Sequence, residues 1–513
     1  MTKNETPSAV LIVGAGPTGL SLALGLARSG VGSIVLERKP QLDAHSRATL
    51  ILPRTLEIFS QWGVLDRFLT EGNRVPHIRL RLAPEGKQIV HFDFTYLTND
   101  TPTPFALALP QNKTERLLLE AVTATGMVDV RFETEVLGFE EDSSGIRLRV
   151  RSPEGERDIR GGFLVGADGA HSIVRETLGL ELEGKTYPTR ALLADVRVRP
   201  DKDQTEFWPA LLDEGLVVGI RFGAGIFRVV ADAVDESVDE QTIDAHVDQL
   251  VQRLFGAPAT ETIWRATYHK HERCAPRFRV GRVLLAGDAA HLNSPAGGQG
   301  MNSSIQDAHN LAWKLALAAT EDEADIDALL DSYAEERRGY VKHQVQPTTN
   351  LMERFESAPT FLRERLVWWG DKLFDVGGSA HAITRRVSML DVTYDRSALL
   401  KPDKSPIGSR VPDVIGGNGL RSLGDQWSAV VLHAGCEAAA RELASALKIP
   451  MLEGDVAELV KFFGRDCFVT LIRPDRIVGW LGDAGTVDIE ACAAALGIRR
   501  PSGNLQPLSN TVS

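Results

Sequence analysis

Apolar residues fill positions 9 to 13 without a break (Ala9-Val10-Leu11-Ile12-Val13), the pattern of a parallel strand covered on both faces. Pro17 to Ser29 then read as a helix ending at Gly30, and Ser33 to Glu37 as a second strand closed by an acid. That succession predicts a βαβ entry into a doubly wound sheet. From Val75 to Ala108 the period drops to two, as in Ile78-Arg79-Leu80-Arg81-Leu82, which predicts antiparallel strands inserted into the α/β unit. Gln111 to Thr125 predict a helix, and Val130 to Val150 alternate about a hairpin turn at Ser143-Ser144-Gly145. Phe163 to Val165 predict another buried strand.

Ala191 to Arg199, Leu211 to Phe222 and Ile226 to Ala231 predict strands of a second sheet, joined by a helix near Asp239 to Phe255 and a strand around Trp264 to His269. The chain returns to the first sheet at Arg282 to Ala286. A long helix follows from near Met301 toward Thr320, then helical stretches at Asp331 to Phe355 and Pro359 to Phe374. Lys401-Pro402-Asp403-Lys404-Ser405-Pro406, with Gly416-Gly417-Asn418-Gly419 beyond, reads as a linker. The order after it is strand (Ser428 to Leu432), helix (Cys436 to Leu447), helix (Val456 to Phe463), strand (Phe468 to Ile472), strand (Ile477 to Trp480), helix (Ile489 to Leu496). This order resembles a thioredoxin-like domain.

A chain of 513 residues is long enough for two or three cores. Its net charge of −12 argues against nucleic acid, whose binding draws on Lys and Arg meeting phosphates. Cys274, Cys436, Cys467 and Cys492 have neither CxxC nor zinc-ligand spacing, so they read as reduced thiols of a cytoplasmic protein, with no metal implied. The apolar stretch from Ala9 to Ala27 lacks a cleavage site and carries glycines where a phosphate loop needs them, which excludes a signal peptide or membrane span there.

Those glycines form the first of three signatures. In Gly14-Ala15-Gly16-Pro17-Thr18-Gly19, Gly14 allows the tight turn, Gly16 a close approach to pyrophosphate, and Gly19 tight packing of helix on strand. The helix amino terminus offers unpaired N–H groups to phosphates. Glu37, 18 residues after Gly19, is placed to hydrogen-bond an adenosine ribose, with Arg38 beside it. The others are Gly166-Ala167-Asp168-Gly169 and Gly287-Asp288-Ala289-Ala290-His291. One βαβ crevice serves one nicotinamide dinucleotide, so two further backbone approaches point to a ligand embedded across the domain, namely FAD.

These motifs resemble those of the class A flavoprotein monooxygenases, the family of para-hydroxybenzoate hydroxylase, phenol hydroxylase and the polyketide aromatic hydroxylases, over residues 8 to 345. Asp168-Gly169-Ala170-His171-Ser172-Ile173-Val174-Arg175 is similar to the family's Asp-Gly pattern. It implies that Asp168 touches the pyrophosphate region and that Arg175 braces the loop. Asp288 would meet a ribityl hydroxyl, with Gly287 permitting the approach. Ser294-Pro295-Ala296-Gly297-Gly298-Gln299-Gly300-Met301-Asn302 would bring a helix terminus to the flavin N1 and C2 carbonyl. Asn302, Asp307 and Asn310 continue the family pattern, while Trp313 and Lys314 read as structural. Arg47 resembles the family arginine near the pyrophosphate and isoalloxazine, and Gln111 the glutamine that caps a helix against the ribityl or phosphate part. Pro295 would shape the wall over flavin C4a. His45 and His291 read as satisfied loop histidines unless they meet ligand.

The resemblance implies an α/β fold: a discontinuous Rossmann-like FAD-binding domain (1–185 and 272–345), a mixed-sheet substrate domain (75–110 and 186–271), a helical segment (346–400) and a thioredoxin-like carboxy-terminal domain (401–513). The last, with a lone cysteine at its expected active turn, reads as structural or as a homodimer contact; removal at about Lys401 is expected to leave FAD binding intact. The activity implied is hydroxylation of a phenolic or polycyclic aromatic substrate through a flavin C4a-hydroperoxide, with O2 and NADPH or NADH as co-substrates. Substrate candidates are His45, Trp208, Arg221, Phe222, Arg228, Pro295 and Ala296. Baeyer-Villiger insertion, a non-oxygenating flavin oxidoreductase and a flavin-binding sensor are the rival readings.

Overall fold

The computed structural model describes residues 8–43, 48–82, 87–199, 207–212, 215–223, 225–234, 238–295, 298–321, 324–356, 358, 362, 365, 379–400, 406–413, 429–432, 437–447, 449–453, 462–463, 469–482 and 488–498. His45, Arg47, Ala296, Cys436, Cys467, most of the predicted helices at 359–374 and 456–463, and the linker residues 401–405 and 416–419 lie outside them.

The apolar run at the start becomes the strand Ser8–Val13 at the centre of a sheet. Ser33–Leu36 pairs with it in parallel on one side and the end of Gly155–Gly166 on the other. Val128–Arg131 and Val283–Leu285 extend the parallel set outward. Val10, Leu11 and Ile12 are fully buried, as an unbroken apolar strand requires. The helix Pro17–Arg28 lies between Gln111–Ala124 and Gln299–Thr320. Gly25 lets it approach the long helix, because a Cβ there would press on Ala312.

The second sheet runs His291–Leu292, Glu261–Cys274, Glu183–Arg197, Ile226–Val234, Gly215–Gly223, Phe207–Leu212, His77–Leu82, Lys87–Asp93. The period-two segment after Val75 therefore supplies its far edge. The single strand expected from Leu211 to Phe222 is instead the hairpin Phe207–Leu212 and Gly215–Gly223. An apolar run gives no sign of a reversal unless Gly or Pro marks it, and here the sequence offers only Gly215 after Asp213-Glu214. Leu192, Ala194, Val196, Phe227, Val229 and Ala231 pack under the helix Ile243–Phe255. The opposite face, through Phe207 and Ile220, meets Leu52, Val75, Ala106 and Ala108 of the main body.

Near the carboxy terminus, Ala429–Leu432 pairs in parallel with Met451–Glu453 and antiparallel with Val469–Ile472, which forms a hairpin with Val478–Gly482. Helices Glu437–Leu447 and Ile489–Ala495 accompany them. This unit does not hang from a free linker. Ile472, Ile477 and Val478 share one apolar cluster with Met389, Leu390, Ile407 and Val411 of the preceding segment and with Leu52 and Val75 of the amino-terminal half. Cys274 and Cys492 are free and buried. Among the described residues no helix is long and apolar enough to cross a membrane.

Candidate cofactor and substrate site

The three glycine motifs follow strands that are neighbours, so their loops meet along one edge of the sheet. Backbone bonds fix the juxtaposition: Gly14 N–H donates to the Leu36 carbonyl at 2.8 Å, Ala167 to Val13 at 2.8 Å, and Ala286 to Gly166 at 2.9 Å. Glu37 N–H donates to Arg131 at 2.9 Å. This edge holds the carboxyl ends of the strands, and the first strand, flanked by Ser33–Leu36 and Gly155–Gly166, is the point where strand order reverses. Ligands of doubly wound sheets bind at such points.

The glycines divide their work as the motif predicts. Gly14 has φ +105°, and a Cβ there would strike the Ala167 carbonyl; one on Gly19 would strike the Gly14 oxygen. Around Gly16, by contrast, nothing lies within 4 Å of an added Cβ. Packing needs the first two, and the third leaves room for a ligand. The helix after it starts with no side-chain cap, which leaves its N–H groups for an anion. Glu37 accepts from Ala15 N–H at 3.0 Å and Lys39 N–H at 3.0 Å, fixing the carboxylate at the rim. Arg38 is exposed beside it.

Asp168 Oδ2 accepts from Val174 N–H at 3.4 Å, and burial raises its pKa. Arg175 braces the loop by donating to the carbonyls of Ala170 at 2.9 Å and Ala289 at 3.2 Å, which joins the second motif to the third. In the third motif Asp307 is the organiser. It accepts from Gly287 N–H at 3.0 Å, His291 Nε2 at 2.7 Å and Arg337 Nε at 2.7 Å. Burial alone would raise its pKa, but His291 and Arg337 outweigh that and hold it low. Gly287, at φ +61°, passes so close to Thr18 that a side chain would collide with its hydroxyl, and Asp288 is exposed at the crest.

Pro295 is half-buried just before the helix Gln299–Thr320, whose Gly298 cap is left-handed at φ +66° and supplies no side-chain bond. Gly300 has open space at its Cα and Met301 is buried. Two expected cofactor contacts are differently engaged. The Asn302 side chain accepts from Leu52 N–H at 2.9 Å and Thr55 Oγ1 at 2.7 Å and donates to Leu50 and Gly298 carbonyls at 2.9 and 2.8 Å, so its polar atoms are engaged within the protein. Gln111 caps no helix; it accepts from Ala48 N–H at 3.1 Å and donates to Glu115 at 2.8 Å, tying Ala48 to the helix Gln111–Ala124.

These residues fit FAD. Asp168 Oδ1, Asn293 Oδ1 and Gln299 Oε1 are buried acceptors without a hydrogen-bond partner among the described residues, set along the edge where hydroxyl and N–H donors of the cofactor would run. Uncapped helix termini and the open flank of Gly16 add the anion-binding part.

The second sheet sorts the substrate candidates by face. Trp208 packs on Phe255 at 5.4 Å between ring centroids, and the Arg221 guanidinium lies 5.2 Å from the Phe227 ring, on the helix-covered side. Both therefore point away from the cleft, as strand alternation demands once Phe207 faces it. Phe222 and Arg228 lie on the cleft side. Arg228 is bidentate to Asp195, at 2.7 Å for each bond, with its guanidinium 4.9 Å from the Phe222 ring and 5.5 Å from Trp264.

Arg337, Glu336, Lys270 and Glu353 escaped sequence reasoning. A signal existed for the partners of the first two: Ser303, Asp307, Asn310 and Lys314 form a polar stripe at helical spacing on a helix buried along nearly its whole length.

A family model described as FAD binding domain matches residues 7–348. A flavin-dependent monooxygenase of Mycobacteroides abscessus is 31% identical over 94% of this chain and 99% of its own length. The 12-dehydrotetracycline 5-monooxygenase/anhydrotetracycline 6-monooxygenase of Streptomyces rimosus is 30% identical over 92% of this chain and 94% of its own. Among solved structures, a ternary complex of aklavinone-11 hydroxylase with FAD and aklavinone superposes with a TM-score of 0.80 at 26% identity, covering 97% of this chain and 100% of that one.

Proposed function

Because this chain belongs to the FAD binding domain family and is an FAD-dependent aromatic monooxygenase, we propose that its substrate is a neutral polycyclic phenol held between the second sheet and the edge where the three glycine motifs meet. Bound FAD would supply the transfer of two electrons from NAD(P)H to O2, one oxygen atom entering the aromatic ring and the other leaving as water. Everything else falls to side chains and backbone of this chain.

The N–H groups after Gly16 hold the pyrophosphate, and Glu37 reaches the adenosine ribose. Asp168 meets the pyrophosphate region and Asp288 a ribityl hydroxyl, and the amino end of Gln299–Thr320 stabilises negative charge at the far end of the cofactor. Pro295 borders the reacting edge. The cleft face of the sheet orients the substrate and excludes water. Its Arg228 is already neutralised by Asp195 between two aromatic rings, which supports a neutral, planar ligand over a carboxylate. The relative that acts on 12-dehydrotetracycline and anhydrotetracycline, and the hydroxylase solved with aklavinone, support the same choice. Residues 1–185 with 272–345 form the cofactor domain in this reading, 75–110 with 186–271 the substrate domain, 346–400 a helical segment and 401–513 a thioredoxin-like unit. The protein acts in the cytoplasm, as a monomer or homodimer.

The observation that carries the proposal is the meeting of the ends of Ser8–Val13, Ser33–Leu36, Gly155–Gly166 and Val283–Leu285 at one edge. The test is turnover under isotopically labelled O2 with NADPH or NADH and a panel of anhydrotetracycline, pentachlorophenol and para-nitrophenol. Label in a hydroxyl of the fused-ring compound is expected. Label only in the small phenols removes the polycyclic assignment, and label in a ring-expanded lactone removes hydroxylation.

A further inference from the structure

Helix Gln346–Glu356 follows a five-residue π-helical turn, Val341–Val345, a local register change that recurs near functional sites. One side of it bridges the second sheet and the residue before Pro295. Asn350 donates to Glu272 at 2.8 Å and accepts from Lys185 at 2.7 Å and from the Tyr187 hydroxyl at 3.0 Å, all on strands of the second sheet. Three residues on, Glu353 turns inward. Its Oε2 accepts from Lys270 Nζ at 2.8 Å, and its Oε1 accepts from the hydroxyl of Ser294, the residue immediately before Pro295.

All three groups are out of water: Lys270 is 1% exposed, Glu353 4% and Ser294 0%. A buried ion pair is weak evidence of stability, since burying both charges offsets most of their attraction. What it does fix is geometry, because neither charge can leave its partner without being stranded. We infer that the Lys270–Glu353 pair is a positioning element for the Ser294–Pro295 loop, clamping it at once to the second sheet and to helix Gln346–Glu356, so that the loop's distance from FAD is set by the sheet that receives the substrate. Glu353 touches neither cofactor nor substrate in this account; it acts through Ser294. The inference rests on the proposed placement of that loop against the flavin.

The test uses the FAD-loaded full chain and two readouts besides turnover: hydrogen exchange of the 288–295 backbone, and the rate of FAD release on dilution, followed by flavin fluorescence. Ser294→Ala removes the hydroxyl and strands no charge. Lys270→Met combined with Glu353→Leu removes both charges together, a change that buried pairs often tolerate. Both variants are expected to melt near the unaltered protein yet to exchange the loop faster and release FAD about tenfold faster, the equivalent of about one hydrogen bond. Glu353→Gln, which keeps an acceptor for Ser294, should release FAD at a rate between those of the unaltered protein and the double variant. Loop exchange and FAD release both unchanged in Ser294→Ala and the double variant overturn the clamp. Faster loop exchange with unchanged FAD release overturns the placement of the loop on the cofactor, and the proposed site with it.

Discussion

The cleft edge and the seam beneath the carboxy-terminal unit are both polar and both central to the molecule, yet they are built from different parts of the amino acid. At the edge the contacts are main-chain N–H groups, carbonyls and absent side chains, arranged by Gly14, Gly16, Gly19 and Gly287. At the seam they are long charged side chains. Arg473 donates to both oxygens of Glu336 at 2.7 and 2.8 Å, Lys314 donates to Glu336 at 2.8 Å, and Asn310 donates to Asp475 at 2.9 Å. Arg54 reaches the Asp475 carbonyl, 421 residues away, at 2.9 Å. Burial pushes the Lys314 pKa down to about 8 with Glu336 opposing it, while Arg473 and Lys314 overcome the burial of Glu336 and hold its carboxyl low. The edge depends on where the backbone runs, and the seam on which charges are paired.

The largest effect should therefore come from removing the carboxy-terminal unit, which the sequence reading expects to leave FAD binding intact. Ending the chain before residue 401 takes away Arg410, Arg473 and Asp475 and strips the cover from Leu52 and Val75. Glu57 loses Arg410 and keeps only Arg54, and Glu336 loses Arg473 and keeps only Lys314 as a cation. Breaking a buried pair costs about 3–5 kcal/mol and two are broken, so the truncated chain is expected to aggregate or elute without FAD. A monodisperse, yellow truncation would show that the seam is dispensable. Arg473→Met isolates a single partner; a loss of about 3 kcal/mol in denaturant unfolding is expected, with FAD affinity falling only through stability.

The two glycines of the first motif sharpen the contrast from the other side. Gly19→Ala drives a Cβ into the Gly14 oxygen and should lower stability by about 2 kcal/mol and abolish FAD retention together. Gly16 has an extended backbone, φ −75° and ψ −176°, that any residue adopts, and open space beside it. Gly16→Ala should leave the melting temperature of the FAD-free protein unchanged while weakening FAD by roughly tenfold or more, read by flavin fluorescence. Equal FAD affinity in that variant would mean that no ligand passes there.

That division also explains what was legible in the sequence. A glycine required by φ +105° at Gly14, or an unbroken apolar strand leading into Gly287, constrains neighbours in the chain and leaves a local pattern. The face of a strand is legible only when its register is known, which is why Trp208 and Arg221 were assigned to the cleft and lie on the helix side. Glu336 with Arg473, and Lys270 with Glu353, carry no local pattern at all, because each residue alone reads as a solvated surface charge. The polar stripe from Ser303 to Lys314 was the one available hint, and it names only one side of the seam.

The smallest effect concerns a buried carboxyl near the cleft edge that has no cation bonded to it among the described contacts. Glu115 accepts from Gln111 Nε2 at 2.8 Å, and burial, helped by Asp43 and Glu37, pushes its pKa up from 4.5 to about 7. Between about pH 4.5 and pH 7 the folded protein keeps a proton that the unfolded chain has released, so this group's contribution to stability falls as pH rises through that window and stays low above it. A difference of this size corresponds to about 1–3 kcal/mol once relaxation around a buried carboxylate is allowed for. Glu115→Gln keeps the acceptor for Gln111 and cannot ionise. It should match the unaltered protein near pH 5, exceed it by about 1–2 kcal/mol at pH 8 in denaturant unfolding, and change FAD affinity by no more than about twofold. Deleting a buried charge would then stabilise the edge, where deleting one at the seam destabilises. Equal denaturant midpoints at pH 8 would place Glu115 in the same class as Glu336, held by partners rather than merely endured, and the two regions would no longer differ in kind.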